Sequence, residues 1–568
     1  MSTTEEIHAV AYKYAVKNAF EHEGKSQIGA VVGKVKALFP EVDLKEVAPL
    51  IAKTVGEVNK MHKDSLNSEY SKFTAEGWEL KHVEKEKTLP DLEWMTPGTK
   101  LITRVAPNPS GVMHFGHARP GVLTDEYVKK YGGKLILRFD DTDPKVKTPM
   151  EGAEAEFKRD FDWLGIKFHE TNRSSDRLER YYEVLEKLLT DGMAYVCSCE
   201  SESWRKLIWD KKACPCREKK PTEQLIQWKK MLAHEIKEEE AVVRIKTDLN
   251  NPDPSERDWW AAKVVDNIDH TNPNVKNKHV WPSYNLACAV DDHDMNVNLI
   301  IRGQEHLTNA DKQKFLFDHF GWTVPHNYFN GKISKLGDMV LSKSKIKVLM
   351  EKQGLTRDDD PRLATIKAFR RRGFDPRAIR KIILDSGLSL KEVKISAEAI
   401  AAANKTFIGE VNSYPFFEEA IPLEVYNVSS GEGECYGETV KFDSGLAKVF
   451  VDKKELMRYK SKKDAPVRFK KAFNAKITEV SEYGGKAMFV SYMKTENPVL
   501  SWVDALIDVE ILMSDGSIKR GFTSESILSQ LSKVYEKDAK GIVHFDGIGY
   551  ANIEGKDNGI IKCVYSYE

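Results

Sequence analysis

No excess of either charge marks this chain: its 87 Lys and Arg residues equal its 87 Asp and Glu. That excludes a global basic field announcing a nucleic-acid partner, so any such surface must be built from local patches. No apolar run approaches the roughly 20 residues of a membrane-spanning helix. The amino-terminal stretch carries acids and lysines where a secretory signal would place its apolar core. Cysteine is scarce, seven in 568 residues with four in one cluster, which excludes a secreted disulfide scaffold. These absences predict a cytoplasmic protein without a membrane partner, and the length should hold about four domains.

What is present concentrates in residues 103–143. A β-like run over 100–105 meets the breakers Pro107 and Pro109, then Gly111, and a helix-compatible segment starts near Gly116. After Gly132-Gly133 a second apolar run covers 135–139. Strand, helix and strand in that order predict a β-α-β unit in a parallel sheet, whose ligands bind beyond the carboxyl ends of the strands. His114, His117 and the acids Asp140, Asp141 and Asp143 fall there. A helix opening near His117 offers backbone N–H groups and a positive dipole end to an anion. Two imidazoles so spaced can bond phosphate oxygens, and Gly116 between them admits a flat ligand to the backbone. The plainer alternative is a turn with two surface histidines; zinc pairs on a helix favour i, i+4 spacing instead. Arg104 upstream and the acids downstream favour a phosphate-handling site.

Elsewhere, Ile28, Val31, Val32, Val35 and Leu38, then Val47, Leu50, Ile51, Val55 and Val58, recur at helical spacing. A Lys/Glu-rich extension or linker follows over 59–93. Phe157, Phe161 and Leu164 mark a helix, and Leu178, Tyr181, Tyr182, Leu185, Leu188 and Leu189 another; both are core stripes. Cys197, Cys199, Cys214 and Cys216 form two Cys-x-Cys pairs with fourteen residues between them, so four thiolates can converge on one tetrahedral zinc, free thiols being the alternative. Residues 297–301 read as a buried strand ending at Arg302, which a parallel sheet would point at the ligand crevice. Arg370, Arg371 and Arg372 offer either a basic patch for phosphates or a helix end favoured by its dipole. Beyond Phe407, period-2 strands with turn signals at Ser444-Gly445, Gly484-Gly485, Asp515-Gly516, Asp546-Gly547 and Asn558-Gly559 predict β-barrels.

The stretch Arg104-Val-Ala-Pro-Asn-Pro-Ser-Gly-Val-Met-His-Phe-Gly-His117 resembles the HIGH signature of class I aminoacyl-tRNA synthetases, with the upstream Arg-x-x-Pro-x-Pro-x-Gly typical of the glutamyl and glutaminyl enzymes. Arg138-Phe-Asp-Asp-Thr-Asp143 is similar to a second block of that pair, and Trp281-Pro-Ser-Tyr284-Asn-Leu-Ala to a third. Residues 338–345 resemble the KMSKS signature, with Val340 for its first lysine and Leu341 for its methionine, while Ser342, Lys343 and Ser344 are kept. Val543-His-Phe-Asp-Gly-Ile-Gly-Tyr550 is similar to the segment ending the anticodon-binding barrels of the glutaminyl and archaeal-type glutamyl branches, although Asp546-Gly547 replaces Glu-Arg.

The resemblance implies a multidomain α/β chain of the archaeal glutamyl type. Its segments would be a helical domain and linker (1–95), a Rossmann-type core in two halves (96–195 and 281–345), an insertion gripping the acceptor end (196–280), a helical connector (346–406) and anticodon-binding barrels (407–568). It implies activation of L-glutamate with ATP and Mg2+ to glutamyl-adenylate and transfer to the 3′ end of tRNA(Glu) by a monomer, with tRNA(Gln) open as a second acceptor. His114, His117 and Lys343 would be catalytic, stabilising charge on the triphosphate, with Gly116, Ser342 and Ser344 also at ATP. Arg104, Asn108, Asp140, Tyr284 and Arg302 would hold glutamate, Asp140 on its ammonium. The four cysteines would hold structural zinc, since some glutamyl enzymes carry a similar Cys-x-Cys in this insertion. The rival readings are a glutaminyl-tRNA synthetase, a class I nucleotidylyltransferase (for which the chain is too long) and a non-catalytic tRNA-binding protein with a synthetase fold.

Overall fold

Residues 4–22, 24–39, 42–75, 89–337, 339, 341, 346, 348, 350, 352, 354–355, 357–535 and 541–568 are described in the computed structural model. The chain divides into two units, Met1–Glu86 and Lys87–Glu568. The first holds helices α1 (Thr4–Glu21), α2 (Ile28–Leu38), α3 (Leu44–Val58) and α4 (Lys63–Ala75). Val31, Val35, Ile51 and Val55 pack with Ala11, Ala15 and Val16 of α1 in one core, so the helical spacing marks the buried face of these amphipathic helices, except at the ends of α2, where Ile28 and Leu38 are exposed.

The second unit opens with β1 (Ile102–Val105), α5 (Phe115–Tyr131), β2 (Lys134–Phe139), α6 (Ala153–Trp163), β3 (Glu170–Arg173) and α7 (Leu178–Thr190). The turn into β2 needs glycine: Gly133 has φ +125°, and a Cβ there would sit 2.1 Å from the Leu101 carbonyl oxygen. Next come β4 (Ala194–Cys197), α8 (Ser201–Trp209), α9 (Pro221–Leu232), β5 (Val242–Ile245), β6 (Trp260–Val264) and β7 (Val280–Pro282), then α10 (Tyr284–Asp294), β8 (Leu299–Gly303), α11 (Leu307–Phe320) and β9 (His326–Asn330). Strands β4 to β7 form an antiparallel sheet of their own. The remaining five form a parallel sheet in the order β3-β2-β1-β8-β9. Its central strands are apolar because helices cover both faces: Leu135, Leu137 and Phe139 pack with Phe115, Val122, Tyr127, Phe157 and Phe161, each burial contributing roughly 1.5–3 kcal/mol. Winding from β1 goes one way to β2 and the other to β8, so a ligand crevice opens between the ends of β1 and β8.

Beyond the parallel sheet, β10 (Ile333–Leu336) pairs with β11 (Val393–Ile395), and α12 (Ile366–Arg371), α13 (Pro376–Ser386) and α14 (Ala397–Ile408) connect to the β-rich region. Seven strands there form one sheet whose edge strands, Val499–Leu500 and Trp502–Val503, are separated by Ser501 alone, so the chain itself joins the edges. Six strands form a second sheet, nearly closed by Phe417 and Phe522, which exchange backbone hydrogen bonds of 2.9 and 2.8 Å. The turn signals all fall between consecutive strands or open the next one. Of the two alternatives for Arg370, Arg371 and Arg372 one fails: they stand at the end of α12, as the helix-end alternative has it. Arg371 pairs with Glu554 at 2.6 Å, and buried Arg372 donates to the carbonyls of Tyr565 and Ser566. These arginines tie α12 to the last strands of the β-rich region and are not a phosphate patch; distant acids and carbonyls reach them only in the folded chain. No helix among the described residues is long and apolar enough to cross a membrane.

Candidate active site

The first histidine begins α5 as its N-cap, in extended conformation. His114 Nδ1 accepts from Gly116 N at 3.1 Å, and His117 Nδ1 accepts from His114 N at 3.4 Å. Both rings therefore carry their proton on Nε2, and they stack with centroids 3.9 Å apart. A Cβ on Gly116 would lie 2.9 Å from His114 Cε1, so glycine here leaves room for the imidazole itself as well as for a ligand. Residues 364–366 hold this loop from behind: Phe115 N donates to Ala364 O at 2.9 Å and Ile366 N to Met113 O at 3.1 Å.

Both histidines line a cavity of about 400 Å3 at the β1/β8 crevice, together with Arg104, Gly116, Tyr284, Arg302, His306 and Asn330. Two of its arginines are held in opposite ways. Arg104, on β1, donates from Nε and Nη2 to the Asp292 carboxylate at 3.1 and 3.2 Å. Arg138 of β2, fully buried, reaches the same carboxylate at 2.7 Å and Asp140 at 3.0 Å. The Cys288 sulfur lies between the two guanidiniums, 3.4 and 3.1 Å away. Burial opposes every charge here, yet Asp292 holds Arg104 above its ordinary pKa, and the two arginines hold Asp292 well below the usual carboxylate range.

Arg302 has no such partner. It is 4 % exposed and donates only to neutral amides, Gln313 Oε1 at 3.0 Å and Asn327 Oδ1 at 2.7 Å, and its Nε has no hydrogen-bond partner. Among the described residues no acid pairs with it. Asn330 Oδ1, in the same wall, is also buried and unbonded. Arg119 completes the wall on the α5 side, donating to the carbonyls of Gly331 and Gly387, and burial pulls its pKa down to about 10. The cavity thus offers buried cationic donors and few anions, the electrostatics of an anion site.

Tyr284 opens α10 behind the N-cap Ser283, and its ring lies 5.5 Å from that of His306. Neither Asn108 nor Asp140 is among the described residues lining the cavity. Asn108 Nδ2 donates to Asp140 O at 2.8 Å and so braces the loop after β1 against the end of β2. Asp140 Oδ2 is buried without a partner, and its charge reaches both Tyr284 and His306. Ser342, Lys343 and Ser344 lie outside the described residues, although Leu341 lines the cavity. Sequence reasoning missed Arg138, Cys288, Asp292, Asn330 and His306 as parts of this site. One signal was legible: Asp291-Asp292 follows the apolar Leu286–Val290 run of α10, and adjacent carboxylates on a buried helix need cations. His306 had none; its Nδ1 accepts from Asn309 at 3.0 Å, and burial, then Arg302, lower its pKa.

The four cysteines meet at the end of β4. Sulfur separations are 3.9 Å for Cys197–Cys214 and 3.7 Å for Cys199–Cys216, and all four lie within 4.8 Å of one another. A tetrahedral zinc with ~2.3 Å bonds needs sulfurs ~3.8 Å apart, so the residues present fit the metal. Tyr195, which bonds Asp258 at 2.9 Å, lies 3.7 Å from the Cys214 sulfur and braces it.

Comparison with known proteins gives the family. The model of the tRNA synthetases class I (E and Q), catalytic domain, matches residues 100–410. Over 99 % of the chain and the full length of each relative, identity is 40 % to the glutamate–tRNA ligase of Thermococcus kodakarensis and 39 % to those of Pyrococcus furiosus and Pyrococcus abyssi.

Proposed function

Because the chain belongs to the class I tRNA synthetases (E and Q), we propose that it works as a glutamate–tRNA ligase, activating glutamate with ATP and transferring it to tRNA. The observation that carries glutamate over glutamine is Arg302, a buried cation in the cavity wall that donates to two neutral amides and, among the described residues, pairs with no acid. A ligand carboxylate supplies the counter-charge it lacks; a glutamine amide does not.

In the first step the α-carboxylate of glutamate attacks the α-phosphorus of ATP, and the bond to pyrophosphate breaks. In the second the terminal tRNA hydroxyl attacks the acyl carbon, and AMP leaves. Catalysis is positioning and charge stabilisation. The Nε2–H groups of His114 and His117 face charge on the triphosphate, Gly116 gives it backbone access, and Lys343, between Ser342 and Ser344, meets the leaving pyrophosphate. Magnesium belongs to the substrate here, arriving with the triphosphate. Arg302 takes the side-chain carboxylate, Tyr284 and the remaining Arg104 nitrogen the α-carboxylate, and Asp140 the ammonium, with Asn108 bracing its backbone. The insertion over 196–280 takes the acceptor end of tRNA(Glu), the β-rich region over 407–568 the anticodon, and the reading takes the enzyme as a cytoplasmic monomer. Charging assays with purified tRNA(Glu) and tRNA(Gln), each with both amino acids, test it and decide whether tRNA(Gln) is a second acceptor. Charging with glutamine alone would make the chain a glutaminyl enzyme.

Zinc at Cys197, Cys199, Cys214 and Cys216 would crosslink the end of β4 to the segment between α8 and α9. Protein purified without chelator should contain about one zinc per chain by elemental analysis, and Cys214→Ser should lower that content. Metal-free protein with full charging activity would remove zinc from the proposal and leave the ligase reading standing.

A further inference from the structure

One contact between the inserted sheet and the core is unused by this mechanism. Between β6 and β7 the chain passes through His270, whose buried ring packs on Trp281 with centroids 5.2 Å apart. Both ring nitrogens are committed. Asn272 N donates to Nδ1 at 3.0 Å, which leaves the proton on Nε2, 2.7 Å from the Asp141 carbonyl oxygen. Asn272, 2 % exposed, donates from Nδ2 to Ser175 Oγ at 2.8 Å. Ser175 in turn holds the Asp141 carboxylate with its backbone N–H at 2.7 Å and its hydroxyl at 2.6 Å. The neighbouring Ser174 Oγ lies 3.4 Å from the Asp140 carboxylate. From the other side Pro107 O accepts from Asp140 N at 3.0 Å, and Asn108 donates to its carbonyl. Arg138 Nε holds Asp140 Oδ1 at 3.0 Å, and the backbone of Asp140 is clamped between the loop after β1 and a strut from the insertion, while its Oδ2 is buried and unbonded.

We infer that His270 is a positioning residue for the amino-acid subsite: as a neutral Nε2–H donor it anchors the Asp141 carbonyl and so fixes the Asp140 carboxylate where the substrate ammonium meets it. The inference rests on the reading of Asp140 given above. A second proton, on Nδ1, would face the Asn272 N–H and break the strut. Burial opposes that proton and Arg173 adds to the opposition, while Asp141, Asp269 and Glu154 favour it; the balance lowers the pKa below the ordinary imidazole value.

Glutamate-dependent ATP–pyrophosphate exchange, with tRNA present, should be measured on the full-length His270→Ala, His270→Gln and Asp140→Asn enzymes, with thermal unfolding of each. His270→Ala is expected to raise the KM for glutamate about tenfold while kcat and the KM for ATP move less than about threefold. His270→Gln, whose amide still donates, should recover most of that loss. An unchanged glutamate KM in His270→Ala beside a raised one in Asp140→Asn overturns the inference and spares the reading of Asp140. An unchanged KM in Asp140→Asn overturns both. Equal losses for ATP and glutamate with lowered thermal stability, unrelieved by glutamine, would mark His270 as structural only and also overturn it.

Discussion

Arg302→Cys is expected to lower kcat/KM for glutamate about 100-fold or more and to narrow the preference over glutamine. The side chain is 4 % exposed, and its hydrogen bonds to Gln313 and Asn327 orient the guanidinium without neutralising it. An unpaired buried cation costs on the order of a few kcal/mol, and a bound carboxylate offsets that cost where an amide cannot. Removing the cation therefore removes the term that separates the two amino acids. Arg302→Lys should fall between the two, since an ammonium keeps the charge but loses the planar fork. Pyrophosphate exchange with each amino acid is the measurement. A wild type that prefers glutamine, or a cysteine variant with undiminished selectivity, would show that Arg302 does not set the choice.

Asp292→Asn should cost about 3–5 kcal/mol of stability, the range for breaking a buried ion pair from one side. Asp292 is 1 % exposed and bridges Arg104 and Arg138 through three hydrogen bonds of 2.7 to 3.2 Å. Asparagine keeps the shape but removes the one acid paired with Arg104 among the described residues, while Arg138 keeps Asp140 and Asp291. Asp294→Asn is the control from the end of the same helix: its pairs with Arg177 and Arg180 are part-exposed, so the change should cost only about 0–1 kcal/mol. Urea unfolding of the three proteins decides this; equal losses in both variants would mean that burial does not set the cost. The acid response has a definite sign. Arg104 and Arg138 depress the folded-state pKa of Asp292 despite its burial, so its contribution is complete above the unfolded value of about 3.9 and disappears as pH falls below it. The gap between wild type and Asp292→Asn should therefore narrow in acid.

The sequence by itself determined the order of elements and where the chemistry lies along the chain. Period and punctuation placed β1, α5 and β2, the histidine pair at the start of α5, the cysteine pairs and the turns of the β-rich region, because each depends on neighbours within a few residues. The end of β8 was legible for the same reason: an apolar run closing on Arg302 needs no distant partner to be recognised.

Only the tertiary structure decided which charge answers which. Arg104 and Arg302 carry the same expectation from the sequence, as cations that would hold glutamate. Folding sets Asp292, 188 residues away, against Arg104 and gives Arg302 two neutral amides and the Phe329 ring but no acid among the described residues, so one is paired within the protein and the other is left for a ligand. Arg371 and Arg372 are the same lesson reversed, since Glu554 and the carbonyls of Tyr565 and Ser566 meet them from the last strands. His270 reaches Asp141 across 129 positions. Ion pairs and buried hydrogen bonds act over a few ångströms in space, whereas local pattern reports only what is a few residues away along the chain, and burial, which sets their strength, belongs to the assembled fold.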